Sequence, residues 1–66
     1  MARIAGVDLP ANKKILVSLT YIYGIGVTQS RNILEKVNID INTRTNELSE
    51  EQVLSIRNEL SDNHLV

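Results

Sequence analysis

Two glycines that flank a single isoleucine form the stretch of this sequence best suited to bind a ligand: Gly24, Ile25 and Gly26. Glycine adopts positive φ without the steric cost of a Cβ, so the chain can turn sharply there. Such a turn leaves backbone N–H groups uncovered beside the positive end of a following helix, where phosphate binds. The spacing therefore indicates phosphate binding by the backbone. A tight helix–helix turn without a ligand is the alternative, and the residues alone leave both open.

No other group of residues has the composition of a reactive site. Cysteine is absent, which excludes disulfides and thiolate metal sites. His64 is the single histidine and has no matching nucleophile or carboxylate, so we interpret it as a tail residue. Glu50 and Glu51 are adjacent on a predicted helix and point in different directions. Without a P-loop, zinc spacing or nucleophile elbow, we predict a protein that is not an enzyme and needs no cofactor.

The helix that leads into the glycines is predicted over residues 12–23, with Asn12 as its N-cap. Gly24 then stands where a glycine commonly ends a helix. Apolar residues at helical spacing mark its buried face: Ile15, Leu16, Leu19, Ile22 and Tyr23. We expect Tyr23 in the core and Tyr21 partly exposed, on the opposite face with Ser18.

The helix that leaves the glycines is predicted over residues 29–37, with Thr28 as its N-cap. Its apolar stripe begins with a small residue, Ser30, which would let two helices pack closely and whose hydroxyl could return to a local carbonyl. Three larger residues complete the stripe: Ile33, Leu34 and Val37. Two such helices around the glycines form a helix-hairpin-helix signature, whose middle apolar residue plugs the core while backbone amides face a phosphate. Contacts of that kind position a duplex without reading its sequence.

A third helix is predicted over residues 50–62, where the sequence has its clearest start signal. Ser49 and Gln52 have the spacing of a capping box, and Leu48 can staple to Val53 across it. The apolar face comprises Val53, Leu54, Ile56 and Leu60. Asn63 could terminate this helix.

The rest of the chain consists of connections. Residues 1–11 are predicted to form an extended arm or a very short strand, because Gly6 and Pro10 interrupt it. We expect its apolar residues to pack on the body: Ile4, Val7 and Leu9. Residues 38–47 are a polar loop anchored by two isoleucines. The fold class is therefore all-α, a single small three-helix domain over residues 1–66.

Charge divides the chain into two halves. Residues 1–36 carry five basic and two acidic side chains, a net +3, whereas residues 37–66 carry two basic and six acidic ones, a net −4. The basic half contains the glycines, which fits a phosphate partner there. An ordinary solvated mixture of charges is the alternative.

Two tyrosines are too few for a platform that stacks single-stranded bases. The sequence shows no membrane span and no signal peptide, so a cytoplasmic or organelle-matrix protein is expected.

The order of these motifs is similar to that of a known family. Residues 1–10 and 19–26 closely resemble the N-terminal half of bacterial small-subunit ribosomal proteins of the S-thirteen family. Residues 33–34 and 48–52 continue the match, so the resemblance covers essentially all 66 residues. Two separate motifs in the right order make it far more specific than the glycines alone.

The resemblance implies a domain of the helix–two-turns–helix type in the head of the small subunit. It also implies contacts with small-subunit ribosomal RNA, with protein S-nineteen and, through an intersubunit bridge, with large-subunit protein L-five. Members of the family continue into a long basic tail that approaches the P-site transfer RNA. This sequence lacks that tail, so we expect the natural chain to continue. Organelle ribosomes carry similar proteins, which leaves the compartment open.

The resemblance and the charge pattern together nominate residues that contact RNA. They are the basic side chains of the first half and the backbone of the hairpin: Arg3, Lys13, Lys14, Gly24, Ile25, Gly26, Thr28 and Arg31. Two other functions use the same features. A free-standing helix-hairpin-helix module for DNA shares the hairpin but lacks the signature of residues 1–10. A protein-interaction domain would instead use the acidic third helix.

Overall fold

The computed structural model describes residues 3–4 and 6–62, so the predictions for Asn63 and His64 lie outside it. Three helices pack around one core, as the sequence predicts, and a small two-stranded ribbon is added to them. The elements in chain order are β1 (Arg3–Ile4), β2 (Val7–Asp8), α1 (Ile15–Leu19), α2 (Val27–Lys36), a 3₁₀ turn (Thr45–Glu47) and α3 (Glu50–Asp62).

The N-terminal arm folds back on itself rather than remaining a single extended segment. β1 and β2 pair antiparallel, with Ile4 opposite Val7. Gly6 at the turn has φ +77°, a conformation that glycine adopts without strain. Ile4 and Leu9 are fully buried and Val7 is half-buried against the core. The predicted packing of the arm on the body is therefore confirmed.

The first helix is shorter than the predicted 12–23 because its N-terminal residues make a different contact. α1 begins at Ile15, and the backbone of Lys14 is extended (φ −62°, ψ 145°). It forms an isolated antiparallel bridge with Arg44, whose Nη1 also donates to the carbonyl oxygen of Asn12 at 2.7 Å. Asn12 is therefore held in a turn and is not the N-cap.

After α1 the chain continues as a tighter turn. The amides of residues 20–22 donate to carbonyls three residues back, at 3.0–3.1 Å. A 3₁₀ turn has three residues per turn, which keeps Ile22 above Leu19 in the core and rotates the next residue away from it. The prediction that Tyr23 is a core residue is therefore wrong, since its side chain is 96% exposed.

Ser18 is another correction on the first helix, since it is fully buried rather than on an outer face. Its Oγ lies 2.6 Å from Oγ1 of Thr45, which in turn donates to the carbonyl oxygen of Lys13 at 2.9 Å. Each hydroxyl has one proton. Ser18 Oγ also has the Pro10 carbonyl oxygen as an acceptor at 3.2 Å, and either hydroxyl can be the donor in the contact between Ser18 and Thr45. This buried chain of hydroxyls ties α1 to the 3₁₀ turn.

α2 starts two residues earlier than predicted, and Gly26 rather than Thr28 occupies its N-cap. The side chain of Gln29 accepts a hydrogen bond from the Gly26 amide at 3.3 Å, as a capping-box residue at N3 does. Thr28 lies inside the first turn of the helix. At the other end, Asn38 has φ +60° and the Ile39 amide donates to the Leu34 carbonyl at 2.9 Å, a Schellman ending.

Ser30 joins α2 to α1. The residue is fully buried, and its Oγ donates to the carbonyl oxygen of Leu16 at 2.7 Å. The hydroxyl thus donates to the neighbouring helix, whereas the sequence suggested a local carbonyl. Because the amide of Thr20 bonds to Val17, the Leu16 carbonyl is left for a side chain.

α3 matches its prediction most closely. Ser49 Oγ accepts from the Gln52 amide at 3.1 Å and Gln52 Oε1 accepts from the Ser49 amide at 2.9 Å, so the capping box is confirmed. Ile56 and Leu60 are buried, but Leu54, assigned to the same face, is 52% exposed.

Two polar contacts tie α3 to the rest of the fold. Lys36 Nζ lies 3.2 Å from Glu59 Oε2, which links α2 to α3. Arg57 Nη2 donates to the Arg3 carbonyl at 3.0 Å, which links α3 to β1.

The Ser30 hydroxyl provides the first testable prediction. Ser30→Ala leaves the part-buried Leu16 carbonyl without its donor, which should lower the free energy of unfolding by about 1–2 kcal/mol. The matched control is Ser55→Ala, because the Ser55 hydroxyl also donates to a carbonyl, that of Glu51, but at an exposed position. Thermal unfolding of this chain followed by circular dichroism should show a fall of several degrees for Ser30→Ala and almost none for the control. Equal melting temperatures would contradict the role assigned to Ser30.

Candidate nucleic-acid interface

The hairpin at residues 24–26 has an inner and an outer side. Gly24 has φ +88°, and this turn directs the Ile25 side chain into the core, where it is 4% exposed. Gly26 is extended (φ −95°, ψ −178°). A Cβ added at either glycine would meet nothing within 4 Å. Ile25 therefore plugs the core as the motif predicts, while the glycines leave the outer backbone open to solvent.

The amides that the hairpin can offer differ from those that the sequence suggested. The Ile25 amide donates to the Ile22 carbonyl at 3.1 Å, and the Gly26 amide donates to the Gln29 side chain at 3.3 Å. No side chain caps α2. Within the described residues, five amides of this region have no acceptor: Tyr23, Gly24, Val27, Thr28 and Gln29. The donors are thus the first turn of α2, at the positive end of the helix dipole, together with Tyr23 and Gly24.

The structure brings together only some of the predicted RNA contacts. Thr28 and Arg31 are exposed and lie three residues apart on α2, a spacing that places them on one face of a helix beside the hairpin. Lys13 and Lys14 are exposed at the opposite end of α1. Arg3 lines a groove along α3 together with Leu54 and other residues. The hairpin, Thr28 and Arg31 therefore form one surface, which we call the hairpin surface.

Acidic side chains are sparse in the sequence around this surface, and the nearest to Arg31 is Glu35, four residues later on α2. Residues 9–34 include three cations and no Asp or Glu. Among the described residues, the one ion pair joins Lys36 to Glu59, so Lys13, Lys14 and Arg31 keep their charge available. The acidic side chains of α3 lie on another helix, which two basic residues of the first half, Arg3 and Lys36, also contact.

Sequence reasoning missed the exposed apolar side chains near the hairpin. Four large ones are more than two-fifths exposed: Val17, Tyr21, Tyr23 and Val27. Helical periodicity placed Tyr23 inside because it assumed 3.6 residues per turn up to Gly24. The signal that could have corrected it is Gly24 itself, since helices often tighten to 3₁₀ geometry in their last turn.

The described residues contain no group of three or more His, Cys, Asp or Glu side chains placed to hold a metal ion. No helix among residues 3–4 and 6–62 combines the length and apolar character needed to cross a bilayer.

Comparison with known proteins assigns the chain to a family. The profile of the ribosomal protein S13/S18 family matches residues 3–65, which is nearly the whole chain. The chain belongs to this family. Small ribosomal subunit protein uS13 of Campylobacter jejuni is 58% identical over 66 residues, covering all of this chain and 54% of that protein. Protein uS13c of Pyropia yezoensis is 56% identical over the same length, covering 52% of that protein.

A third relative, uS13 of Maridesulfovibrio salexigens, is 58% identical over all 66 residues and is covered to 54%. The chain thus spans about half the length of the curated relatives it matches. The family resemblance inferred from residues 1–10 and 19–26 is confirmed.

The two glycines of the hairpin should respond differently to substitution. Gly24→Ala places a Cβ at φ +88° and should lower the free energy of unfolding by about 1–2 kcal/mol. Gly26→Ala is the matched control, because Gly26 has negative φ and open space around it, and it should cost less than about 1 kcal/mol. Urea unfolding of both variants measures the difference. A larger loss for Gly26→Ala would show that the turn has another geometry.

Proposed function

We propose that this chain is part of a structural protein of the small ribosomal subunit and that its hairpin surface binds ribosomal RNA. Membership of the ribosomal protein S13/S18 family is the observation that carries the proposal. The compartment proposed is a ribosome of the cytoplasm or of an organelle, because the matched relatives include proteins named uS13 and uS13c. No catalytic role is proposed.

The hairpin surface supports an RNA contact through its backbone. A phosphate oxygen accepts hydrogen bonds, and the first turn of α2 offers unpaired amides at the positive end of its dipole. The neighbouring Gly26 amide donates to the side-chain oxygen of Gln29, at a long 3.3 Å. An incoming phosphate can replace that neutral acceptor. Arg31 adds a full charge on the same helix, which strengthens a phosphate contact further.

The α3 side favours a different partner. Glu50 and Glu51 are exposed in the first turn of α3, and their charge repels an RNA backbone. We therefore place protein neighbours on this side. The partners proposed are those implied by the family resemblance: protein S-nineteen in the head of the small subunit, and large-subunit protein L-five across an intersubunit bridge. Contact with the P-site transfer RNA is proposed only for a basic tail beyond this sequence.

A free-standing DNA-binding module is the weaker proposal. It shares the hairpin, but its function does not require the arm formed by residues 1–10. The ribosomal relatives match this arm along with the rest of the chain. Co-sedimentation with small subunits rather than with nucleoid DNA separates the two functions.

RNA binding should depend on salt and on Arg31. Each phosphate that a cation neutralises contributes about 0.7–0.9 to the slope of log affinity against log salt. Arg31→Gln should therefore weaken binding to small-subunit ribosomal RNA and reduce this slope by about one. Arg57→Gln removes the same charge from α3, where the guanidinium is bonded to the Arg3 carbonyl, and should leave the slope unchanged.

Filter binding at several salt concentrations measures both variants. Salt-independent binding by the unmodified protein would contradict the proposal. Equal effects of Arg31→Gln and Arg57→Gln would contradict the assignment of the contact to the hairpin surface.

Gln29→Glu should change stability and RNA binding in opposite directions. A carboxylate at the third position of α2 interacts favourably with the helix dipole, which adds about 0.3–1 kcal/mol to the free energy of unfolding. The same charge occupies the place proposed for a phosphate and should weaken RNA binding severalfold. Gln52→Glu is the matched control, since Gln52 caps α3 through the same contact. RNA affinity that falls equally for both variants would indicate a general charge effect instead of a local contact.

A further inference from the structure

Tyr23 is the most exposed large apolar side chain in the described part of the protein. Its side chain is 96% exposed, compared with 55% for Tyr21 and 54% for Val27. An aromatic ring that stays in water does not contribute the folding free energy that burial of its apolar surface would provide. Of the five large apolar side chains that the described chain exposes, Leu54 alone lies outside residues 17–27. The exposure is thus concentrated at the hairpin.

The backbone conformation on both sides of Tyr23 places this ring in solvent. The Ile22 amide bonds three residues back, to Leu19, and Gly24 directly follows Tyr23 with φ +88°. The tightened turn before Tyr23 and the left-handed backbone conformation of Gly24 after it restrict the directions in which the Tyr23 side chain can point. The same turn buries Ile25. The ring therefore cannot move into the core without displacing the residue that plugs it.

We propose that Tyr23 stacks on an unpaired base of the ribosomal RNA, next to the phosphate bound by the amides of the hairpin. The inference rests on the proposed function and adds a base contact to a backbone contact. Stacking on an aromatic ring needs only the flat face of a base, so it suits an RNA whose bases are splayed out in a loop or bulge.

Charge complementarity favours RNA over a protein as the occupant of this surface. Of the three cations in residues 9–34, Arg31 lies on the hairpin surface, and the next acidic residue is Glu35, about one helical turn farther along α2 from the hairpin, so an anionic partner is favoured at the hairpin end of this surface. Uncovered amides in the first turn of α2 provide hydrogen-bond donors without acceptors of their own. A single nucleotide has both groups that this surface can bind, a flat base and an anionic phosphate.

The test uses the full-length protein that contains this chain, with small-subunit ribosomal RNA as the probe. Tyr23→Leu keeps an apolar side chain but removes the aromatic face, and Tyr23→Phe keeps the face and removes the hydroxyl. The expected loss of affinity is roughly 5- to 100-fold for Tyr23→Leu and less than about threefold for Tyr23→Phe. The slope of affinity against salt should stay the same in both, because the number of phosphate contacts is unchanged.

Two further measurements separate stacking from its alternatives. Tyr23→Trp should bind RNA as tightly as the unmodified protein, and its added fluorescence should be quenched on binding because a base lies against the indole. Tyr21→Leu is the matched control at the less exposed of the two tyrosines, at 55%, and it should weaken RNA binding less than Tyr23→Leu does. The melting temperature of Tyr23→Leu should be unchanged, since the residue is 96% exposed.

The outcomes distinguish this inference from the proposed function. If the unmodified protein binds RNA and Tyr23→Leu binds equally well, stacking is overturned while the proposed function stands. If Tyr23→Leu affects only incorporation into assembled subunits, the partner of Tyr23 is a protein and the inference is also overturned. If the unmodified protein does not bind RNA at all, the proposed function fails and the inference fails with it.

Discussion

The close approach of α1 and α2 is the contact on which the rest of the structure depends. The Ser30 hydroxyl of α2 donates to the Leu16 carbonyl of α1 at 2.7 Å. It replaces the backbone donor that this carbonyl lacks within α1. This distance requires a small residue at position 30 and a connection that turns within a few residues. Gly24 provides the turn with its positive φ, and Ile25 fills the space beneath it. A chain of 66 residues has little other core with which to compensate for a loss there.

The same turn that closes the core creates the surface we assign to RNA. Because Ile25 points inward, the glycines beside it leave the outer backbone uncovered, and α2 starts with its amides toward solvent. Tyr23 is held outside by the same geometry. The acidic residues of α3 lie on a different helix. Core packing and the proposed RNA binding therefore depend on the same short segment, and a change at Gly24 should affect both.

Much of this fold is predictable from the sequence, and the misses share a physical cause. The α3 capping box and the buried stripe of α2 were predicted because local hydrogen bonds and helical periodicity determine them. The ends of α1 were not predicted. At its N-terminal end Lys14 pairs with Arg44, thirty residues away in the chain, and at its C-terminal end a tighter turn follows the helix. Tyr23 was assigned to the core for the same reason. Among the candidate RNA contacts, Ile25 fills the core as expected. Only the structure reveals that its amide is already bonded, to the Ile22 carbonyl.

Nuclear magnetic resonance of the backbone amides during titration with small-subunit ribosomal RNA tests the central claim most directly. The claim is that the outer side of the hairpin and the first turn of α2 meet the RNA backbone. We expect the largest shifts at Gly24, Val27 and Thr28, with little change along residues 50–62. Shifts concentrated on α3 and on the groove beside Arg3, with the amides of residues 24–28 unchanged, would contradict it.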